Sequence, residues 1–289
     1  MKSFTINDVQ RFSGVKAHTL RIWERRYTLV HPDRSQGNSR LYTLDELKKI
    51  LNIVLLKKNG YRISELSKLN TEDLRNKISN LSYEKNKWQS AINDLIINMY
   101  TVEPDSFELI LDELLLHWSI DILIEKIIFP FLAITHLLWT GNKLSEEHLV
   151  VTAIRKKLIF AIESTILETG KIKTVLLFLP DGKQLDLGLF YSYFFLKKRG
   201  IRVLYLGIDV TIKNLETIFQ VKPPAYLFTY LQPNQHLFAK QLLESINFYA
   251  PNTILVIAKY GFDETPFLND KLIQMEYLEA LDFLHSSCK

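Results

Sequence analysis

Between Ile6 and Leu167 apolar residues recur mostly at every third or fourth position, whereas from Lys171 onward short apolar runs alternate with helical stretches. Three blocks follow from this change of period. In the first, Thr5 caps a helix INDVQRFS, Gly14 supplies a turn, and KAHTLRIWERR forms a second helix whose Leu20 and Trp23 lie three apart. This is helix-turn-helix spacing. The segment HPDRSQGNSRLY, with Pro32, Gly37 and Asn38 bracketed by Arg34 and Arg40, is long enough for a two-stranded wing, and Thr43 then opens a third helix, LDELKKILNIVLLKKNG. In the second block, TEDLRNKISNLSYEKNKWQSAINDLI, PDSFELILDELLLHW, SIDILIEKIIFPFLAITHLLW and LSEEHLVVTAIRKKLIFAIESTIL predict a four-helix bundle. Its last two helices are apolar nearly all round, as burial on two sides requires. In the third, TVLLFL, RVLYLG, AYLFTYL, TILVIA and LIQMEY read as strands separated by helices, which predicts a doubly wound parallel sheet of Rossmann-like type. The expected fold class is therefore multidomain α and α/β, divided at 1–70, 71–169 and 170–289. The loop LPDGKQLDLG ends the first strand of the sheet, the place where such sheets hold ligands.

Charge sharpens the division. Residues 1–70 hold 14 Lys and Arg against 6 Asp and Glu, so a block of net charge +8 precedes a remainder of −4 in a chain of net charge +4. A basic amino-terminal module points to a polyanion as partner. With 47% hydrophobic and 24% charged residues, the 289-residue chain has the composition of a folded protein. It has neither a membrane-length apolar stretch nor a signal-peptide core at its start, so the expected place is the cytoplasm, with no membrane partner. Cys288 is the only cysteine, which excludes disulfides and cysteine-based metal sites.

The run GVKAHTLRIWERRY, followed by SRLYTLDELKKI, resembles the winged helix-turn-helix of MerR-family transcription regulators. The resemblance implies a double-stranded DNA operator as partner. Lys16, His18, Thr19 and Arg21 would face the major groove, and Arg25, Arg26, Arg34, Arg40 and Tyr42 would hold the backbone. Thr28 departs from the family, which usually has glycine after the tyrosine. Leu20, Trp23, Leu41 and Leu44 are core candidates in so small a module, and Tyr42 can be read that way too. Arg25 can alternatively pair on the surface with Glu24 or Asp45. Such readers bind as symmetric oligomers, so a homodimer or homotetramer is expected.

The succession of reader, helical bundle with Trp139, Glu147 and His148, and a sheet domain with YLGIDV resembles the cobalamin-dependent, light-responsive repressors. That resemblance implies a bundle capping the cofactor, with a histidine below it, three residues before a glycine, that ligates cobalt. Counting back from Gly188 gives Leu185, which has no lone pair, with the cation Lys183 close by. Gln184 and Asp186 offer only hard oxygen. The stretch Thr229-Tyr230-Leu231 is compatible with the small hydroxyl residue that the family places near the cofactor tail, and Thr229 and Leu231 are taken as its candidates. Only Gly261 remains of a paired glycine, with Tyr260 beside it. The interval from Trp139 to His148 is two residues shorter than the family's, which turns His148 by roughly half a helical turn. Without the resemblance, Trp139, Glu147 and His148 read as a bundle-closing aromatic and a polar helix start, with Glu146 and Glu147 favouring the dipole.

Three readings follow. The favoured one is a regulator that works without cobalamin, through a small-molecule effector or protein contacts. The second is an adenosylcobalamin-dependent light sensor using His148. The third is a corrinoid methyl-carrier or mutase-like enzyme domain, for which neither a reactive cobalt nor a nucleophile with its base is in sight; His236 reads as a helix-start residue.

Overall fold

Thr5 and Thr43 each begin a helix by the same device. The threonine hydroxyl accepts the backbone N–H three residues on, and the carboxylate of Asp8 or Glu46 reaches back to the threonine N–H. In the computed structural model, which describes residues 3–101, 104–136, 144–166, 173–180, 186–231, 235–259 and 270–288, these boxes open α1 (Ile6–Ser13) and α3 (Leu44–Lys58). Between them lies α2 (Ala17–Tyr27), reached through Gly14 at φ 69°, a left-handed turn that glycine adopts without strain. The wing is larger than its sequence suggests: β1 (Phe4–Thr5), β2 (Asp33–Arg34) and β3 (Arg40–Tyr42) form an antiparallel sheet in the order β1-β3-β2. Phe4–Thr5 adds the extra strand by pairing with Leu41–Tyr42.

The chain divides into two compact units, Met1–Ala153 and Ile154–Lys289. The first continues with α4 (Ile63–Leu66), α5 (Thr71–Ser79), α6 (Glu84–Met99), α7 (Pro104–His117), α8 (Ile120–Ile122), a π-helical turn at Leu123–Ile128, α9 (Phe129–His136) and the start of α10 (Leu144–Glu163). Two details differ from the periodicity. The first expected bundle helix is broken into α5 and α6: Asn80 is the C-cap of α5, and its backbone N–H closes on the carbonyls of Asn76 and Ile78. Before Pro130 the helix widens, and the Phe129 N–H bonds to the carbonyl of Ile124, five residues back. A proline ring clashes with the carbonyl four residues before it, and the wider turn relieves that conflict. Reader and following helices share a core, in which Phe4, Phe12 and Tyr100 meet edge to face with ring centroids 4.9–6.2 Å apart.

The second unit contains the rest of α10, then β4 (Thr174–Phe178), α11 (Leu187–Lys198), β5 (Arg202–Gly207), α12 (Ile212–Val221), β6 (Tyr226–Tyr230), α13 (His236–Tyr249), β7 (Ile254–Lys259), β8 (Leu272–Glu276) and α14 (Tyr277–Ser287). All five strands are parallel and ordered β5-β4-β6-β7-β8, a doubly wound sheet. On one face Leu176, Phe178, Leu227, Leu255 and Ile257 pack with Leu215, Phe219, Leu242 and Ile246 from α12 and α13. On the other, Tyr226 and Phe228 meet Phe283 and Tyr277 of α14. The strand order reverses between β4 and β6, so a ligand crevice is expected at their carboxyl ends. No helix among the described residues is long and apolar enough to cross a membrane.

Candidate nucleic-acid interface and the switch point of the sheet

The candidate interface is the exposed face of α2. Leu20 and Trp23 are buried, and the opposite side, three and four residues apart, carries exposed His18, Arg21, Ile22 and Arg25. Lys16 is the helix N-cap and lacks a side-chain cap, a gap that Gln10 of α1 fills: its Oε1 accepts the Ala17 N–H at 2.7 Å. Thr19 Oγ1 lies 3.2 Å from His18 Nε2. Arg26 is exposed, its guanidinium 5.7 Å from the centre of the Tyr27 ring. Ile22, 42% exposed in the middle of the face, is a residue that charge-based reading passes over. An apolar side chain there can meet a thymine methyl, and its i+4 spacing from His18 was the available signal.

The wing is built around charge. Arg34 and Arg40 sit directly opposite each other across β2 and β3, a like-charge pair that costs stability. Each is tethered: Arg34 donates to the Asn38 side chain at 2.7 Å and to its carbonyl at 3.3 Å, and Arg40 Nε donates to Glu24 at 2.7 Å. Glu24 belongs to α2, so its carboxylate ties the wing to the reading helix. Its other oxygen accepts the hydroxyl of Tyr42, which is fully buried. Burial, then the neighbouring Glu24 carboxylate, pushes the Tyr42 pKa well above the usual phenol value and keeps the hydroxyl a donor. Among the nine DNA-contact expectations, the structure thus places Lys16, His18, Arg21, Arg25, Arg26 and Arg34 on the surface and Thr19 half-buried. Arg40 is held in an ion pair, and Tyr42 lies in the core. The partner of Glu24 is Arg40; Arg25 remains exposed.

At the switch point of the sheet the chain makes its own contact with the start of α11. Tyr230, the last residue of β6, reaches the start of α11, where its hydroxyl accepts the Leu189 N–H at 3.0 Å. The first N–H groups of a helix that follows a strand are where doubly wound domains bind phosphates and other anions. Here one of them is taken. Burial raises the Tyr230 pKa well above the ordinary phenol value, so the hydroxyl stays neutral. Tyr277 and Ser192 close the same spot: their hydroxyls donate to the Gly188 carbonyl at 2.6 and 2.8 Å and lie 3.0 Å from each other. A Cβ at Gly188 would come 3.2 Å from the Tyr230 hydroxyl, so the glycine makes room for the chain's own ring. Asp186 is committed to Arg155, whose Nη2 lies 2.7 Å from its Oδ1.

Thr229 is wholly buried on the sheet face it shares with Leu227, its hydroxyl 3.4 Å from the Tyr230 carbonyl, and Leu231 packs into the hydrophobic cluster on that side. His148 is exposed on α10. Trp139, Leu185 and Gly261 lie outside the described residues, as does the side chain of Glu147. Sequence reading took Thr229 and Leu231 as candidates and gave Tyr230 between them no role of its own. The signal was present in the alternation of the strand, which sends Tyr226, Phe228 and Tyr230 to the opposite face.

A corrinoid gripped from this loop does not fit the residues present. Leu185 has no donor atom, Asp186 is paired, and Tyr230 occupies the start of the helix.

Residues 4–72 match the family described as MerR HTH family regulatory protein. Among curated proteins, the HTH-type transcriptional repressor CarA of Myxococcus xanthus is 25% identical over 256 residues, covering 87% of this chain and 85% of its own length. The repressor CarH of the same organism is 24% identical over 225 residues, 74% of each chain. The HTH-type transcriptional regulator MlrA of Salmonella typhimurium is 33% identical over 73 residues, covering 25% of this chain and 30% of its own. Among solved structures, the monomethylamine corrinoid protein of Methanosarcina barkeri is similar at a TM-score of 0.39 and 15% identity, covering 85% of this chain and 100% of its own. The amino-terminal reader is a MerR HTH domain, and the chain is homologous to the two Myxococcus repressors.

Proposed function

From a MerR HTH domain on a chain homologous to transcriptional repressors, we propose a DNA-binding transcription regulator whose sheet domain works without cobalamin, through a small effector or protein contacts. The reader docks α2 in the major groove with His18, Arg21 and Ile22 toward the bases. Arg25, Arg26 and Arg34 lie against phosphates, and Arg40 supports the wing from its pair with Glu24. Two copies, or two pairs, bind a two-fold operator. Phe160 and Ile166, 74% and 90% exposed, are the kind of apolar surface such self-association covers. No catalytic role is assigned to any residue.

The observation that carries the cofactor-free reading is the hydroxyl of Tyr230 on the Leu189 N–H, which seats a tyrosine where a ligand of this sheet would lie. The identity of Leu185 agrees with it. The test is an operator gel shift with the full chain, in the dark and after illumination, with and without adenosylcobalamin. The expected result is one affinity under all four conditions. A complex that needs the cofactor in the dark and dissociates in light would establish the light-sensor reading instead.

A further inference from the structure

Within the first unit, a cavity of about 210 Å³ opens where the reader meets the helices that follow it. Phe12, Leu51, Val54, Leu55 and Ile134 give it apolar walls, and Arg11 and Lys58 bring two cations to it. Among the described residues no carboxylate lines it and none pairs with Lys58. Asn93 of α6 belongs to the lining and is 5% exposed. Its Oδ1 accepts the Gln89 amide at 3.2 Å, while its Nδ2 has no partner among the described residues. That amide N–H is not sealed from solvent, so it is open to an acceptor that a ligand brings into the cavity.

We propose that this cavity is an effector site for a small monocarboxylic acid with a short apolar body. The walls take the body, the Asn93 amide and the Lys58 ammonium take the carboxylate, and the size, below the roughly 300–1,000 Å³ of drug-sized sites, excludes anything larger. The site is placed to act on DNA reading. Residues Arg11, Phe12, Ser13 and Gly14 of its wall form the last turn of α1 and the turn into α2, and Gln10, just before them, caps α2 through the Ala17 N–H. Holding that turn against α6 and α9 fixes the reading helix relative to the wall behind it, so an occupant couples to operator affinity.

Titration calorimetry of the full chain with benzoate and with hexanoate, and with uncharged benzamide as the control, tests this in the absence of DNA and of any corrinoid. Its outcome is thus independent of the cofactor question. Both acids should bind saturably, benzamide about tenfold more weakly, and Lys58→Gln should weaken benzoate by about tenfold, the size of one charge-assisted hydrogen bond. Lys58 is exposed, so the substitution leaves the fold intact, which its circular dichroism checks. Saturating benzoate should also shift operator affinity. Absence of saturable heat from both acids, or equal binding of benzoate and benzamide, or an unchanged affinity in Lys58→Gln, would overturn the site; an unshifted operator affinity would overturn its coupling.

Discussion

Replacing Glu24 by alanine should unfasten the wing from the reading helix. The carboxylate makes two bonds that cross from α2 to β3, one to Arg40 Nε at 2.7 Å and one to the Tyr42 hydroxyl. The Arg40 and Glu24 side chains are 22% and 10% exposed, and Tyr42 is wholly buried, so neither bond is a solvent-screened surface contact. A hydrogen bond to a charged group contributes about 1.5–3 kcal/mol, and the alanine also leaves the Tyr42 hydroxyl without its acceptor. Relief of the solvent-reachable Arg40 returns part of this, giving a net loss of about 2–4 kcal/mol. Urea unfolding of the full chain, followed by tryptophan fluorescence, reads that loss directly. Adding Tyr42→Phe to Glu24→Ala removes the stranded hydroxyl and should recover about 1–2 kcal/mol, a coupling measurable in a double-mutant cycle. Arg40→Ala should then lower both stability and operator affinity. A Glu24→Ala chain within about 0.5 kcal/mol of the parent, the scatter of ordinary surface changes, would refute the clasp.

Other expectations follow from single contacts. Arg21→Ala should weaken operator binding without loss of stability, and if Arg21 touches phosphate the slope of log affinity against log salt should fall by about one. A gel-shift series in salt measures both. Thr28 sits at φ 51°, in the left-handed region that a β-branched residue enters at a cost of about 1–2 kcal/mol, so Thr28→Gly should raise the unfolding free energy by about 1 kcal/mol. Asp94 is held above the ordinary carboxylate range by burial, against the opposing pull of Lys48 and Arg75. The folded chain therefore keeps its proton to a higher pH than the unfolded chain, and stability falls as pH rises from the unfolded value through the folded one. Asp94→Asn should abolish that decline and raise the melting temperature at neutral pH, which scanning calorimetry across pH reads.

Most of the architecture was legible because local and global signals agree. The threonine caps, the Gly14 turn and the strand-and-helix alternation after Lys171 each specify the element that forms. What escaped depends on partners far apart in sequence. The strand Phe4–Thr5 exists because Leu41 and Tyr42 are there to pair with it, and nothing within two residues announces a strand. The break at Asn80 and the wide turn before Pro130 are contests between a strong helical period and one or two residues that oppose it. In the reader, charge counting found the cations but could not tell that Glu24 holds Arg40 and leaves Arg25 exposed, because sixteen residues separate the partners. In the sheet domain, a family pattern drew attention to Thr229, Leu231 and Gly188. Tyr230 touches α11 across 41 residues of sequence, a contact that no local pattern announces.

On the proposed reading, the Tyr230 ring at the start of α11 keeps a corrinoid out of the sheet domain. The most direct test of that reading is the visible absorption spectrum of the full chain, incubated in the dark with adenosylcobalamin and passed through a desalting column, alongside Tyr230→Ser. No retained corrinoid band is expected in the parent chain. A stoichiometric band in the parent would contradict the reading, and if Tyr230→Ser retained no less and no more, the ring at the start of α11 would have no part in the matter.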